Sequence, residues 1–548
     1  MEKGFFIGVI VTGFILVVGY FIFLSEDSII DMNNIPCHRM SDGTIMGKCS
    51  KEDIKRLEEE TEKKEFPTFL PMSELSFSEL SWEKPTAIIE LENKDKIRLR
   101  VEPIIKDING NQVKMYGYNG EVPGPLLKVR KGSTINVEFF NNIDLDTTIH
   151  WHGVRVSNAN DGVPNITQKV VKPGSKFLYT LKFPDEGIYW YHPHFREDIQ
   201  QDLGLYGNIL VYDKNIPKNF NREEFLILDD ILIKDNEIIS YGKEEANYAL
   251  TGRFGNVMLV NGRTDYSLNV NKEEVIRFYI TNTANTRPFN ISFSGAKIKL
   301  VGSDIGYYER EEFIDSVIIG PAERYIVDVF FEKESEYKII NVNPTKKYEL
   351  GKIVVRGTNR GKNYFNEFNL VKENEVVKKE IDKYREYFDK DLDYQIELDV
   401  DMEMHGMRMM QMQNNEDGIE WEDEIGMNAV MTSSDLRWIL RDKESGKENM
   451  DVMYKFKVGD KVKIRIINKE NSMHPMQHPI HFHGQRFLVL NLDGKKNQNL
   501  VWKDSVLVPA GSYVDILLDV SNPGKWIAHC HIPEHMESGM MLMFDVAR

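Results

Sequence analysis

The sequence predicts an all-β protein made of three tandem β-sandwich domains, preceded by one N-terminal transmembrane helix. Three features support this prediction: short runs of alternating apolar and polar residues, a threefold internal repeat, and an uncharged apolar stretch at residues 4–24. With 548 residues, the chain is long enough for about three domains of ordinary size.

The apolar stretch reads GFFIGVIVTGFILVVGYFIFL. As a helix it would reach about 31 Å, enough to cross the hydrocarbon core of a bilayer. Acidic residues follow it directly, in SEDSII, where a cleavable signal would carry a small-x-small site. We therefore expect residues 1–25 to be an uncleaved single-pass anchor in the cell membrane, with the rest of the chain outside the cytoplasm. The alternative is a cleaved signal and a secreted or periplasmic protein.

Residues 26–81 combine a cysteine and methionine segment with a charged linker. The segment CHRMSDGTIMGKC contains Cys37, His38, Met40, Met46 and Cys49. It predicts either a disulfide between the two cysteines or a site for a soft metal ion. The charged run KEDIKRLEEETEKKEF has little to bury and predicts a solvated helix or linker.

The repeat divides the remaining chain into domains at residues 82–215, 216–385 and 386–548. Its copies contain the runs STINVEFFNN, EEVIRFYITN and DKVKIRIIN, and each later closes with a second alternating run, such as YIVDVFF or YVDILLDV. Such runs, divided by Gly, Pro, Asn and Asp, predict strands packed in sandwiches. Between the second and third copies, KENEVVKKEIDKYREYFDKDLDY predicts a charged helical connector.

Composition narrows the functional classes. The net charge of −17 argues against nucleic acid as a partner, and 41% hydrophobic residues indicate a folded body.

The histidines are distributed unevenly. Four His-x-His pairs occur in the first and third domains, whereas the middle copy of the repeat contains no histidine. Side chains two residues apart in a strand project from one face, so each pair can present two imidazoles in the same direction. Eight imidazoles converging from two domains predict a site for several metal ions.

The segment HCHIPEHMESGM is the most informative. If residues 528–532 are extended, His529 and His531 face one way and Cys530 faces the other, so one strand contacts two metal sites. Cys530 then joins His478, His535 and the thioether of Met540, which is the ligand set of a blue copper electron-transfer centre.

Four motifs in this order, HWHG, HPHF, HPIHFHG and HCHIPEHMESGM, resemble the multicopper oxidases, a family that includes laccases, cuprous oxidases and ferroxidases. The likeness covers about residues 82–548. It implies three cupredoxin-like Greek-key domains, four bound copper ions and an oxidoreductase that passes electrons singly from a reductant to O2. The implied ligands are His478, Cys530, His535 and Met540 for type 1 copper; His150 and His481 for type 2 copper; and His152, His192, His194, His483, His529 and His531 for the type 3 pair.

The resemblance also implies proton donors. Asp161 matches by position the acid that serves the copper cluster, although an Asp in an Asn-Asp-Gly run is also an ordinary turn residue. The family's second acid follows the last type 1 histidine, and here that position is Met536. Glu534, at a different phase, is not an obvious replacement.

Methionines suggest the reductant. Thioethers favour Cu(I), and we predict that it is captured by a methionine-rich run and by two residues ahead of His478. The candidates are Met402, Met404, His405, Met407, Met409, Met410, Met412, His474 and Met476. The alternative is a flexible core patch. Cuprous oxidases have Asp where this chain has His474.

Three functions are consistent with these features. The first is an extracytoplasmic oxidase of Cu(I) or another metal ion, with a role in copper detoxification. The second is a laccase-like oxidase of phenols or other organic donors. The third is a non-enzymatic copper-binding envelope protein, which the complete ligand set disfavours.

Overall fold

The computed structural model describes residues 66–214, 218–402, 417–423 and 428–548, together with Ser50 and two short strands. These strands, β1 (His38–Arg39) and β2 (Ile45–Met46), pair antiparallel within a small unit that comprises residues 1–65 and 424–427. The main unit comprises residues 66–423 and 428–548. No helix in the described ranges has the length and apolar character needed to cross a membrane. The predicted anchor and both N-terminal cysteines lie outside these ranges.

The first domain consists of two facing sheets. One has the strand order β10-β12-β13-β8-β5, and the other has the order β11-β9-β6-β4 with β7 paired to β6. The strands are β3 (Thr68–Phe69), β4 (Ser81–Trp82), β5 (Ile88–Leu91), β6 (Lys96–Ile108), β7 (Asn111–Tyr118), β8 (Leu126–Arg130), β9 (Thr134–Asn141), β10 (His150–His152), β11 (Lys176–Lys182), β12 (Gly187–His192) and β13 (Gly207–Tyr212). Along β9, buried and half-buried residues alternate, as the sequence pattern predicts. The described fold begins upstream of the expected residue 82, because β3 pairs with a strand of the second domain.

The second domain has the same two-sheet arrangement. Its sheets have the orders β18-β14-β20-β25-β22-β23 and β19-β27-β26-β21-β24. The strands are β14 (Arg222–Ile231), β15 (Ile233–Lys234), β16 (Glu237–Ile238), β17 (Tyr241–Gly242), β18 (Val257–Val260), β19 (Tyr266–Lys272), β20 (Val275–Asn282), β21 (Phe289–Phe293), β22 (Lys297–Ser303), β23 (Gly306–Ile314), β24 (Val317–Ile319), β25 (Arg324–Phe330), β26 (Ser335–Val342) and β27 (Lys347–Thr358). An apolar core of its own fills the space between the sheets.

Helices are short and lie between or beside the sandwiches. The α-helices are α1 (Glu197–Gln200), α2 (Phe365–Asn369), α3 (Glu375–Ile381) and α4 (Pro533–Glu537), and the 3₁₀ turns are Phe77–Glu79, Asn158–Asn160, Asp382–Asp389, Asn428–Val430 and Asn449–Asp451. The predicted helical connector corresponds to α3 and the 3₁₀ turn that follows it. Asn374 caps α3 by accepting a hydrogen bond from the backbone N–H of Val377 (3.2 Å).

The third domain completes the series. Its sheets have the orders β29-β28-β31-β37-β33-β34, with β35 paired to β33, and β30-β39-β38-β32-β36. The strands are β28 (Tyr394–Met402), β29 (Leu436–Asp442), β30 (Met453–Lys457), β31 (Lys461–Asn468), β32 (His478–Phe482), β33 (Arg486–Leu492), β34 (Lys495–Lys496), β35 (Trp502–Lys503), β36 (Ser505–Val508), β37 (Tyr513–Asp519), β38 (Gly524–Cys530) and β39 (Met541–Ala547). The described residues therefore form a mostly β protein of three consecutive sandwiches.

Candidate metal centre

Two pairs of hydrogen-bonded strands bring the histidine motifs together. In the first domain, β10 pairs with β12 and places His150 opposite His192. In the third domain, β32 pairs with β38 and places His481 opposite His529, with Ile480 opposite Cys530. In β10 the second histidine of the pair shares a face with the first because strand side chains alternate, and the second histidine of each other pair lies just beyond the end of its strand.

The eight imidazoles of the four pairs form one buried cluster between the first and third domains. His150 stacks on His483 with ring centroids 4.0 Å apart, and His152 stacks on His481 at 3.8 Å. Each histidine of HWHG therefore meets one of HPIHFHG. No member of the cluster exposes more than 5% of its surface. The members are His150, His152, His192, His194, His481, His483, His529 and His531.

Backbone carbonyls set the protonation of four of these rings. The Nδ1–H groups donate from His150 to Asp161 O (2.8 Å), from His192 to Pro193 O (2.8 Å), from His481 to Asp504 O (2.8 Å) and from His529 to Cys530 O (2.9 Å). A carbonyl oxygen can only accept, so each Nδ1 carries the proton and each Nε2 keeps a free lone pair. These imidazoles are arranged as metal ligands.

The inner nitrogens of the cluster fit metal ions. The atoms buried there without a hydrogen-bond partner are His150 Nε2, His152 Nδ1, His192 Nε2, His194 Nε2, His481 Nε2 and both ring nitrogens of His531. Each unpaired buried polar group costs about 1–3 kcal/mol, so an unfilled cluster would be unfavourable. His483 Nε2 and His529 Nε2 lie 3.0 Å apart with their protons on the other ring nitrogen, so two lone pairs face each other and require a cation.

Burial also keeps these histidines in the neutral form that binds metals. It holds the pKa of His481, His483 and His531 well below the usual range, and neighbouring imidazoles add to the effect. Several groups of three side chains have ligand atoms within 4.8 Å of one another, including His150 with His481 and His483. The donor set is therefore suited to more than one metal ion.

A second, mononuclear site lies on the opposite face of the same strand. Cys530 Sγ is 3.6 Å from His478 Nδ1 and 3.8 Å from His535 Nδ1, and the two nitrogens are 3.3 Å apart. All three side chains are buried, as is Met540, whose backbone N–H donates to His535 O (3.0 Å). Two imidazoles and a thiol at these distances, with a buried methionine whose backbone is bonded to His535, fit a blue copper site.

The surroundings of Cys530 favour the metal-bound thiolate over the free thiolate. Burial raises the pKa of the Cys530 thiol, so a cation must replace the proton. The backbone N–H of Ile532 donates to Sγ (3.5 Å). Strand β38 ends at Cys530, but His531 N still bonds to Pro479 O (2.7 Å), which keeps His529 and His531 on one face. The backbone thus connects Cys530 of the mononuclear site directly to two histidines of the cluster, His529 on one side and His531 on the other.

Asp161 lies inside the cluster. Its carbonyl accepts from His150, and its Oδ2 accepts from His483 Nδ1 (2.9 Å), so it contacts histidines of both domains. Oδ1 is buried without a hydrogen-bond partner. The glycine at position 162 allows the backbone next to Asp161 to pack closely against the start of β10. Its φ is +88°, and a Cβ there would lie 2.0 Å from Ile149 O.

The second expected acid is absent, as the sequence indicated. Met536 is buried, and Glu534 accepts a hydrogen bond from Asn285 Nδ2 (3.0 Å) of the second domain. Burial raises the pKa of Glu534 to about 8. Another acid, Glu197 in α1, contacts the cluster, with Oε1 3.2 Å from His194 Nδ1. Burial raises its pKa well above the usual range.

Three other residues near the copper sites were not predicted. Asp504 and Ser505 lie 3.0 Å from His152 Nε2, and Trp438 stacks on His535 with centroids 4.2 Å apart. Nothing in the pattern around these residues marks them, because strand pairing and domain packing bring them to the site.

The proposed Cu(I)-capture residues are only partly described. Met402 ends β28 and is buried, and His474 and Met476 are completely buried. Both ring nitrogens of His474 lack a hydrogen-bond partner. Met404, His405, Met407, Met409, Met410 and Met412 lie outside the described residues.

The fold and the two sites define a class: a three-sandwich copper protein with a mononuclear site joined to a multinuclear one. Models of the multicopper oxidase family match residues 100–216, 222–357 and 406–548, more than half of the chain in total. The chain therefore belongs to the multicopper oxidase family, which makes it an oxidoreductase that uses O2 and holds four copper ions. The assignment of each histidine to a particular ion stays a prediction.

Relatives are similar over most of their length. The chain is 28% identical over 454 residues to a multicopper oxidase of Staphylococcus aureus, covering 80% of this chain and 85% of the relative. Among solved structures, the Campylobacter jejuni multicopper oxidase, described as a metallo-oxidase, is 23% identical with a TM-score of 0.64, covering 86% of this chain and 98% of that one. A laccase-like multicopper oxidase of Ochrobactrum, with oxidase activity towards lignin model compounds, is 22% identical with a TM-score of 0.64, covering 85% and 100%.

Proposed function

We propose that this multicopper oxidase takes Cu(I) as its reductant and serves in copper detoxification outside the cytoplasm. The solved neighbours include both a metallo-oxidase and a laccase-like enzyme. The choice between metal ion and phenol therefore rests on residues beside the type 1 site.

His474 carries the proposal. This imidazole is completely buried, both of its nitrogens are unpaired, and burial lowers its pKa to about 4, so it is a neutral ligand at physiological pH. The ring of Trp438 packs against His474, His478 and His535, with centroids 6.1, 4.8 and 4.2 Å away. An imidazole with no structural hydrogen bond, beside the electron-accepting histidines, is suited to hold an incoming metal ion.

Met476 supplies a soft ligand next to it. The residue is completely buried between His474 and His478 in sequence, and its carbonyl accepts from Asn468 Nδ2 (2.7 Å), which fixes the backbone. A thioether and an imidazole two residues apart in the chain form a ligand pair that suits Cu(I) better than Fe(II), which prefers harder ligands. His478 and His535 expose at most 1% of their surfaces, which favours a small ion over a bulky phenol.

The flanks of the methionine-rich run also lie near this site. At one flank, Met402 pairs with Leu436, two residues before Trp438. At the other flank, the Glu420 backbone N–H donates to Gln477 Oε1 (2.6 Å), next to His478. The described residues on either side of residues 403–416 therefore lie close to the type 1 histidines.

The chemistry balances as four Cu(I) ions oxidised to Cu(II) while one O2 and four protons become two waters. Bound copper supplies the one-electron transfers and the reduction of O2. The chain provides the covalent connection from Cys530 to His529 and His531, excludes water by burying the cluster, and places Asp161 where it can hold a proton. We place the enzyme at the cell membrane because of the apolar run at residues 4–24.

Oxygen uptake by the copper-loaded full-length protein tests the proposal, with Cu(I), Fe(II) and a phenol as separate donors. Met476→Leu removes the thioether at similar volume and should lower kcat/KM for Cu(I) by about ten-fold or more. Met115→Leu, at an equally buried methionine of the first-domain core, is the control and should leave it unchanged. Uptake with the phenol but none with Cu(I) would establish the laccase-like alternative and refute the proposal.

A further inference from the structure

His152 differs from three other cluster histidines in the ring nitrogen that it presents. Its Nε2 is held by Asp504 Oδ1 and Ser505 Oγ, both at 3.0 Å, and its unpaired buried nitrogen is Nδ1. By contrast, His150, His192 and His481 are held at Nδ1 and present Nε2. A carboxylate accepts only, so Asp504 fixes the proton of His152 on Nε2.

The carboxylate of Asp504 is itself fixed from the second domain. Arg324, at the start of β25, donates from Nη1 to Asp504 Oδ1 (2.7 Å) and from Nη2 to Oδ2 (2.6 Å), and both residues are completely buried. Such a two-point pair fixes the carboxylate plane as well as neutralising its charge. The Asp504 carbonyl also accepts from His481, so this residue contacts two cluster histidines.

The guanidinium has almost no freedom to move. Nε donates to Ile188 O (2.9 Å) and Nη1 also donates to Ala322 O (3.0 Å). The pair also packs against the glycine of HWHG: at Gly153, where φ is +78°, a Cβ would lie 2.2 Å from Asp504 Oδ2 and 2.9 Å from Arg324 Nη2. Arg324, Asp504 and Gly153, which follows His152, are thus packed as one unit across three domains.

We propose that Arg324 is a positioning residue for the copper cluster, acting through Asp504 to make His152 bind copper through Nδ1. The second domain, which supplies none of the proposed copper ligands, therefore determines part of the cluster's geometry. This inference does not depend on Cu(I) being the reductant.

Arg324→Lys tests the proposal because lysine keeps the charge but cannot form the planar two-point pair. The matched control is Arg277→Lys. Arg277 forms the same kind of buried pair in the same domain, with Nε and Nη2 donating to Asp328 Oδ1 (2.7 Å) and Oδ2 (2.9 Å). Among the described residues, neither Arg277 nor Asp328 forms a hydrogen bond with a cluster histidine. A merely structural role predicts similar effects for both substitutions.

Three readouts separate positioning from stability: copper bound per chain, the blue absorption of the Cys530 site, and the paramagnetic resonance of the copper ions. We expect Arg324→Lys to keep the blue band, to lose cluster copper or show a new signal from an uncoupled pair, and to consume oxygen about 10- to 100-fold more slowly. Arg277→Lys should match the wild type in all three. A full copper complement with an unchanged resonance spectrum in Arg324→Lys, or equal changes in both variants, would overturn the proposal.

If Arg324→Lys does not fold, Asp504→Asn and Asp328→Asn provide the same comparison with smaller changes. Asp504 Oδ1 accepts from both Arg324 Nη1 and His152 Nε2, and Oδ2 accepts from Arg324 Nη2. The amide of asparagine therefore either turns an N–H towards His152, which reverses the hydrogen bond that fixes the ring, or turns it towards Nη2 and loses half of the pair with Arg324. We expect the altered cluster signature only in Asp504→Asn. A normal cluster in that variant would contradict the proposal equally.

Discussion

Gly162→Ala tests how closely the cluster depends on its backbone. Gly162 follows Asp161, has a φ of +88°, and leaves space only for a hydrogen: a Cβ would lie 2.0 Å from Ile149 O and 2.9 Å from His150 N. Both of those atoms are backbone atoms at the start of β10, so no side chain can rotate away to make room.

The magnitude follows from two contributions. A non-glycine residue at this φ costs about 1–2 kcal/mol through backbone strain alone. Restoring an ordinary contact of about 3.5 Å requires the chain to move by about 1.5 Å. That displacement breaks the 2.8 Å bond from His150 Nδ1 to Asp161 O, which adds about 1 kcal/mol. We expect Gly162→Ala to lower the free energy of unfolding by about 2–3 kcal/mol and copper affinity about 10- to 100-fold.

Gly174→Ala is the matched control. Gly174 is in the same domain with a φ of +74°, but a Cβ there would meet nothing within 4 Å. It should lose about 1–2 kcal/mol and bind copper normally. Denaturant unfolding of the copper-free proteins and copper titration measure both effects. Equal stability losses together with full copper binding in Gly162→Ala would refute the reasoning.

Three further predictions follow from the sites. Cys530→Ser should abolish the blue absorption and oxygen uptake from external donors while the histidine cluster still binds copper; a persisting blue band would show that the thiolate is not the ligand. Burial lowers the pKa of His474 to about 4, so the unfolded chain takes up its proton at higher pH than the folded chain does. This contribution to stability is present above about pH 6.5 and is lost as the pH falls towards 4, about 3 kcal/mol in total for the copper-free protein. His474→Gln should therefore show a shallower loss of unfolding free energy between pH 6.5 and 4, and an unchanged slope would contradict the assigned burial. Chelation of copper should lower the melting temperature and leave the protein more acid-labile, because the neutral buried imidazoles then lose the metal ions that they bind; identical melting with and without copper would argue against the cluster.

The sequence predicted the parts of the site that depend on strand alternation. The two-residue spacing of His529 and His531, with Cys530 between them, requires opposite faces in any extended segment, and the structure has this arrangement. The same alternation identified the strands of all three sandwiches, for example along β9. These features are local, so they can be read from neighbouring residues alone.

The residues that hold the ligands could not be predicted in this way. Asp504 and Arg324 are 180 positions apart and meet only because the second and third domains pack together. Because the middle copy of the repeat lacks histidine, its strands carry no sequence signal of a role at the copper site. Glu197 likewise reaches His194 through a four-residue helix that has no apolar periodicity. Tertiary packing determines these contacts, so they become visible only when the three-dimensional structure brings residues far apart in the sequence together.

The stoichiometry of Cu(I) oxidation tests the central claim most directly. Oxygen uptake and Cu(II) formation are measured together with the copper-loaded full-length protein, with peroxide assayed at the end. The proposed coupling of Cys530 to the histidine cluster predicts four Cu(I) oxidised per O2 consumed and no peroxide. Two Cu(I) per O2 with release of peroxide, or a rate equal to that of buffer alone, would contradict it.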